Sequence, residues 1–211
     1  MLRAHGARTL AATAGLSTKK GHRLSFLASL PPHGPARDAA ILGAIATGNL
    51  DTPDWIPVTC GRVTLRVSAD YLKIGGARVP MSAPVAQAAV DSLGAVLPTP
   101  KIVQAIEAAA RIVAMPVWPG ADKLSSERLA WCEEQTGPLS GLVAGHRKDV
   151  VVCRAMAGRP GRVWIFGARW GNGKRIQPLS GVHEASYADL SHGVRAVLDA
   201  CEVDGQPRSE E

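Results

Sequence analysis

Between Arg62 and Ser68 the chain alternates: Val63, Leu65 and Val67 are separated by Thr64, Arg66 and Ser68. A period of two belongs to a strand with one buried and one wet face, whereas a helix returns to the same face about every 3.6 residues. Such a strand needs partners and cover. Residues 71–74 read as a second strand that turns at Gly75-Gly76 toward Arg78-Val79-Pro80, which predicts a β-meander.

The cover reads as helical. Residues 36–47 carry Ile41, Leu42 and Ile45 at helical spacing and close at Gly48-Asn49. Ser82 caps a segment with Pro84 in its first turn and Gly94 beyond its end, and Thr99-Pro100 opens one carrying Ile102, Val103, Ile106 and Val113. A third helix after these is expected around residues 125–135. Short apolar runs at 150–153 and 163–166 read as strands, with Trp170-Gly171-Asn172-Gly173-Lys174 as a hairpin tip. The fold class expected is α+β: a single domain with a mixed or antiparallel sheet packed by three to four helices.

A net charge of +6 is a nucleic-acid hint until it is located. Residues 1–37 hold Arg3, Arg8, Lys19, Lys20, Arg23 and Arg37 and no acid, and the remaining 18 basic and 18 acidic residues cancel. A neutral body argues against a broad phosphate-binding face. The domain reading is a flexible basic leader over 1–35, an α+β domain over 36–204 and a disordered tail over 205–211. No run approaches the roughly 18–20 apolar residues that span a bilayer. Cys60, Cys132, Cys153 and Cys201 are far apart and read as packed thiols of a reducing compartment. The cytoplasm is favoured, with an atypical export leader as the alternative.

Chemistry concentrates late. His146 lies in Gly-His-Arg-Lys-Asp (145–149), and His183 and His192 lie in the segment 183–195 with Glu184, Tyr187, Asp189, Ser191 and Arg195. Neutral imidazole and carboxylate are the groups that move protons and bind metals near neutral pH. A helix through Asp189, His192 and Arg195 would align all three, so Asp189 could orient His192. The structural alternative is a terminal helix burying Leu190, Val194, Val197 and Cys201, and a plain turn at 145–149.

Three chemical readings follow. In the first, His146, Asp149, His183 and His192 surround zinc or another divalent metal, with Lys148 or Arg195 neutralising an oxyanion or substrate carboxylate. In the second, His192 or His183 activates Ser191, Ser186 or a cysteine, as in a cysteine peptidase-like enzyme. In the third, Arg147, Lys148, Arg195, Trp164, Trp170 and Tyr187 bind an anionic or sugar-like ligand without turnover; core and hairpin packing is the alternative for the tryptophans. Gly-Arg-Pro-Gly-Arg (158–162) and Gly-Asn-Gly-Lys (171–174) fit no nucleotide fingerprint, so no nucleotide cofactor is expected.

Two resemblances add to this. Asp189-Leu-Ser-His192 is similar to the acidic-x-x-His element of zinc D-Ala-D-Ala peptidases, which implies zinc and cell-wall peptide, although the spacing of His146 to Asp149 is shorter than that family's His-six-residues-Asp. Gly-His-Arg-Lys-Asp-Val-Val (145–151) and Asp-Leu-Ser-His-Gly-Val-Arg (189–195), with Ala-Asp-Tyr-Leu-Lys-Ile-Gly (69–75), resemble a group of bacterial proteins to which no activity is attached.

The expectation is a hydrolase of an amide or ester bond, metal-assisted and acting on cell-wall peptide, with a small molecule, peptide or glycan as substrate. Its catalytic candidates are His192, Asp189, His183, Lys148 and Asp149. The substrate-binding candidates are Arg195, Tyr187 and Ser191, and the metal candidates His146, Asp149, His183 and His192.

Overall fold

The alternating segment is strand β2 (Val63–Ser68), paired antiparallel with β1 (Trp55–Cys60) around a turn at Gly61-Arg62. Its buried end, Val67, joins Val58, Ile106, Ala144 and Val197 in a small core. A computed structural model describes residues 24–208, so the expectations for 1–23 and 209–211 lie outside the described residues.

The helices follow their sequence cues. Helix α1 (Pro35–Ala46) has proline in its first turn, and α2 (Ala83–Asp91) follows Ser82 and stops before Gly94, whose φ of 60° is left-handed. In α3 (Pro100–Ala109) the Thr99 side chain accepts from the Ile102 N–H at 3.3 Å. This helix stops short of Val113, because residues 111–112 become strand β6 (Arg111–Ile112), parallel to β7 (Val143–Ala144). Helix α4 (Ser126–Thr136) ends on Gly137, at φ 66°.

Two larger sheets organise the rest, and the architecture is α+β. In the first sheet β2 also pairs antiparallel with β12 (Val197–Val203), which pairs with β5 (Ala95–Val96) and β13 (Gln206–Arg208). In the second the order is β10 (Arg175–Ser180), β9 (Ile165–Arg169), β8 (Lys148–Val150), β11 (His192–Gly193). The β9–β10 hairpin turns at the expected tip, and β11 runs parallel to β8. A two-residue pair, β3 (Lys73–Ile74) and β4 (Ala77–Arg78), turns at Gly75-Gly76.

Three boundaries differ from the sequence reading. Packing begins before residue 36: residues 24–29 are helical, and Leu27 and Leu30 enter the main core with Ile41, Met81, Val85 and Leu129. Arg37, counted among the leader's charges, is buried and donates from Nε to the Pro31 carbonyl at 2.8 Å. At the other end, residues 206–208 form β13 rather than a tail. The third difference matters most for function. No helix runs through 189–201; the segment is a turn followed by β11 and β12. Asp189 captures the chain locally, accepting from the Ser191 N–H at 2.8 Å, and the valines that follow are buried in extended backbone.

Candidate functional site

The parallel register of β11 on β8 sets His192 beside Lys148 and Gly193 beside Asp149. Side chains alternate across a sheet, so Lys148 and His192 project to one face and Asp149 to the other. Tyr71 packs on that second face: a Cβ on Gly193 would fall 2.6 Å from its ring and 2.7 Å from Arg147 Cβ.

The Asp149 face is a connected network of ion pairs and hydrogen bonds, in which His146 Nδ1 and Arg147 Nε are without a partner among the described residues. The Tyr71 hydroxyl lies 3.0 Å from both Asp149 Oδ2 and the Arg147 carbonyl. Arg195 lies over the Tyr71 ring and donates to the Ser68 and Val143 carbonyls at 2.6 and 2.8 Å, with Nε 3.4 Å from Asp149. Arg78 binds Asp70 and Glu133, both at 3.0 Å, and Arg147 reaches Glu133 at 3.5 Å. His146 joins Asp70 through Nε2 at 3.1 Å and meets the edge of Tyr71.

Burial dictates the protonation states there. It pulls His146 down to about 4, against the opposing pull of Asp70. A neutral ring facing a carboxylate carries its proton on Nε2. Burial pushes Asp149 up to about 6, opposed by Arg195 and Tyr71. Against the upward pull of burial, His146 and Arg78 hold the Asp70 carboxyl far below its ordinary value.

The His192 face is built differently. The His192 ring is 1% exposed, and neither of its nitrogens has a hydrogen-bond partner among the described residues. Tyr187 meets it edge-on at 5.7 Å and stacks on His183 at 4.0 Å, 14° from parallel. His33 comes from the N-terminal segment, 5.5 Å from Tyr187, and its Nε2 accepts from the Ala188 N–H at 3.2 Å. Asp189 accepts from the Tyr187 hydroxyl at 3.1 Å and from the Ser191 hydroxyl at 2.5 Å.

The charges on this face are few, Lys148 facing Asp189. Half-buried Lys148 is pulled down by burial, with Asp189 opposing and Lys123 adding to the effect. Burial also pulls His192 down to about 4; Asp189 opposes this, while Lys148, His183 and His33 reinforce it. The imidazole is therefore neutral near pH 7. Burial and the Asp189 charge push the Tyr187 hydroxyl up to about 12.

The structure thus brings together His192, Asp189, His183, Lys148, Tyr187 and Ser191. It does not bring Asp149, Arg195 or His146 to them. Arg195 is spent inside the protein, so it is not a ligand for substrate. The metal candidates are divided in the same way, with His146 and Asp149 on one face and His183 and His192 on the other. Among the described residues no group of three or more His, Cys, Asp or Glu side chains is placed to hold a metal ion.

The remaining candidates are placed by packing. Arg147 is buried against Cys132 and the Leu190 carbonyl. Trp164 is 7% exposed and Trp170, at the hairpin tip, 41%. All four cysteines are free thiols.

Sequence reasoning passes over His33, because Pro-Pro-His-Gly-Pro reads only as punctuation. It also passes over Asp70, and over Tyr71, which reads as the start of a strand. A cue for both was the polar pair Asp70-Tyr71 inside an apolar stretch. Comparisons with protein families, with curated proteins and with solved structures give no match.

Proposed function

We propose that the His192 face is the working site of a hydrolase of amide or ester bonds. The observation that carries this reading is the His192 ring, whose two buried nitrogens are unpartnered among the described residues. An unpaired buried polar group costs about 1–3 kcal/mol, and such groups persist where a ligand or a proton uses them. A neutral imidazole near pH 7 is in the form that accepts a proton from water. Asp189 favours the imidazolium that results, and the Lys148 ammonium is the charge available to an oxyanion formed beside it. Tyr187 packs edge-on against the ring, and His183 stacks on Tyr187. The four expected metal ligands are divided between the two faces and do not meet at one ion.

The test uses the full chain with p-nitrophenyl acetate and with N-acyl dipeptides, including D-alanyl-D-alanine, and metal analysis of the same samples. His192→Leu should lower kcat/KM at least about 100-fold. It should leave the unfolding midpoint unchanged or raised, since it removes two unpaired buried nitrogens. Turnover unaffected by this variant would remove the reading.

A second reading has its own observation. The Ser191 hydroxyl beside His192 is held by Asp189 at 2.5 Å rather than by an imidazole. That arrangement suits a binding module for an anionic or sugar-like ligand, with the His183–Tyr187 stack as its flat platform. Saturable binding without turnover would select it.

A further inference from the structure

Away from the His192 face, residues 51–54, 69–73 and 138–141 wall a cavity of about 320 Å³. Its floor is an ion pair. Arg78, whose side chain is 2% exposed, donates to Asp70 from Nε at 2.9 Å and from Nη2 at 2.5 Å, and its Nη1 donates to the Gly137 carbonyl at 3.0 Å, which anchors the loop 138–141. Asp70 also accepts from the Tyr71 N–H at 2.8 Å and meets His146, so Lys73, at 3.1 Å and with 27% of its side chain exposed, is the outermost of its partners. One carboxylate thus serves two cations, and the Lys73 ammonium keeps N–H donors to spare. The rim has the opposite sign. Asp51 accepts from the Gly75 and Gly76 N–H groups at 3.1 and 2.7 Å, one to each oxygen, while the side chain of Asp54 has no hydrogen bond or ion pair among the described residues. Neither acid forms a salt bridge with Lys73, so a positive and a negative pole line one hollow more than 4.0 Å apart.

The geometry points to a binding site for a small zwitterion, a free amino acid, with its carboxylate on Lys73 and its ammonium on Asp54. An amino acid carries both charges on one carbon and so spans two poles that do not reach each other. A cationic amine alone would add to the charge of Lys73 and Arg78, and an anion alone would meet Asp51 and Asp54; paired charge suits both walls. A neutral polyol would meet the same groups through weaker hydrogen bonds than a charged partner makes. Ligand cavities run from about 300 to 1,000 Å³, and this one lies at the small end, which suits an amino acid better than a longer chain.

Isothermal titration of the full chain with alanine, N-acetylalanine, alaninamide and glucose tests this. Alanine should bind at least about 10-fold more tightly than either blocked form, since each lacks one charge-assisted hydrogen bond. Asp54→Ala should erase the advantage over N-acetylalanine, and Lys73→Met the advantage over alaninamide. Asp54 is exposed and unbonded among the described residues, so its variant keeps the fold. Equal or tighter binding of either blocked form, no binding of alanine, tighter binding of glucose, or an advantage that survives its substitution overturns the inference. The cavity shares no residue with the His192 face, so the hydrolase reading is decided apart from this result.

Discussion

The two faces of the β8–β11 pair carry similar residue types and use them in opposite ways. On one, Asp70, Asp149 and Glu133 neutralise Arg78, Arg147 and Arg195, and Tyr71 bridges to Asp149. On the other, a histidine is buried with neither nitrogen partnered among the described residues, and the Lys148 ammonium faces the Asp189 carboxylate without a hydrogen bond between them. A satisfied buried network fixes one packing arrangement, while unsatisfied groups cost stability that only an occupant returns. The difference is one of degree: His146 keeps one bonded nitrogen, to Asp70, and Arg147 Nε lacks a partner among the described residues, whereas neither nitrogen of His192 has one.

The largest test of this contrast is a pair of truncations. Arg78→Ala removes the cation shared by Asp70 and Glu133, leaving Asp70 to Lys73 and His146 and Glu133 to Arg147, and should cost about 3–5 kcal/mol in urea unfolding. Lys148→Ala strands nothing and should change stability by less than about 1 kcal/mol. Equal losses would erase the distinction between the faces.

Acid titration sharpens it. His146 and His192 are both pulled from 6.5 to about 4, so the folded protein binds fewer protons than the unfolded chain between those values. Each ring's contribution is full above 6.5 and is lost as pH falls toward about 4, worth about 3 kcal/mol. Asp149 is raised from 3.8 to about 6, so its contribution is present below 3.8 and lost as pH rises through about 6. The signs of His146 and Asp149 oppose one another within their shared face, and His192 stands uncompensated. Stability measured from pH 7 to pH 4 should fall, and His192→Leu should remove most of the fall. A slope unchanged in that variant would place the acid sensitivity elsewhere.

A smaller effect probes the wall between the faces. Gly193→Ala puts a methyl against the Tyr71 ring and Arg147 Cβ, both closer than 3 Å. Such overpacking costs about 1–3 kcal/mol in thermal or urea unfolding. A neutral result would mean that Tyr71 can retreat, and that the seal between the faces is soft.

Much of the fold was legible in the sequence. The alternation at 63–68, the Thr99 cap and the hairpin tip at 170–174 each act through local backbone chemistry, and each element formed where its cue lies. The segment 189–195 was legible as a cluster of polar groups and misread as a helix. Its i, i+3 spacing suits a helix, but Asp189 and Ser191 compete for the backbone, and the extended chain then pairs with β8. The partition of His146 and Asp149 from His192 was not legible. It depends on a parallel register between strands more than forty residues apart and on the placement of Tyr71, and neither leaves a trace in local spacing. His33 was invisible for the same reason: its partner at Ala188 is 155 residues away.

The pairing of β2 with β12, Val67 against Val197, has a consequence for biosynthesis. The β1–β2 hairpin emerges from the ribosome long before its third strand is made. Until then one edge of β2 stays open, in the slow-closing regime of proteins dominated by distant contacts. Loss of the last fifteen residues would leave that edge permanently bare, and such a chain should aggregate as it is made.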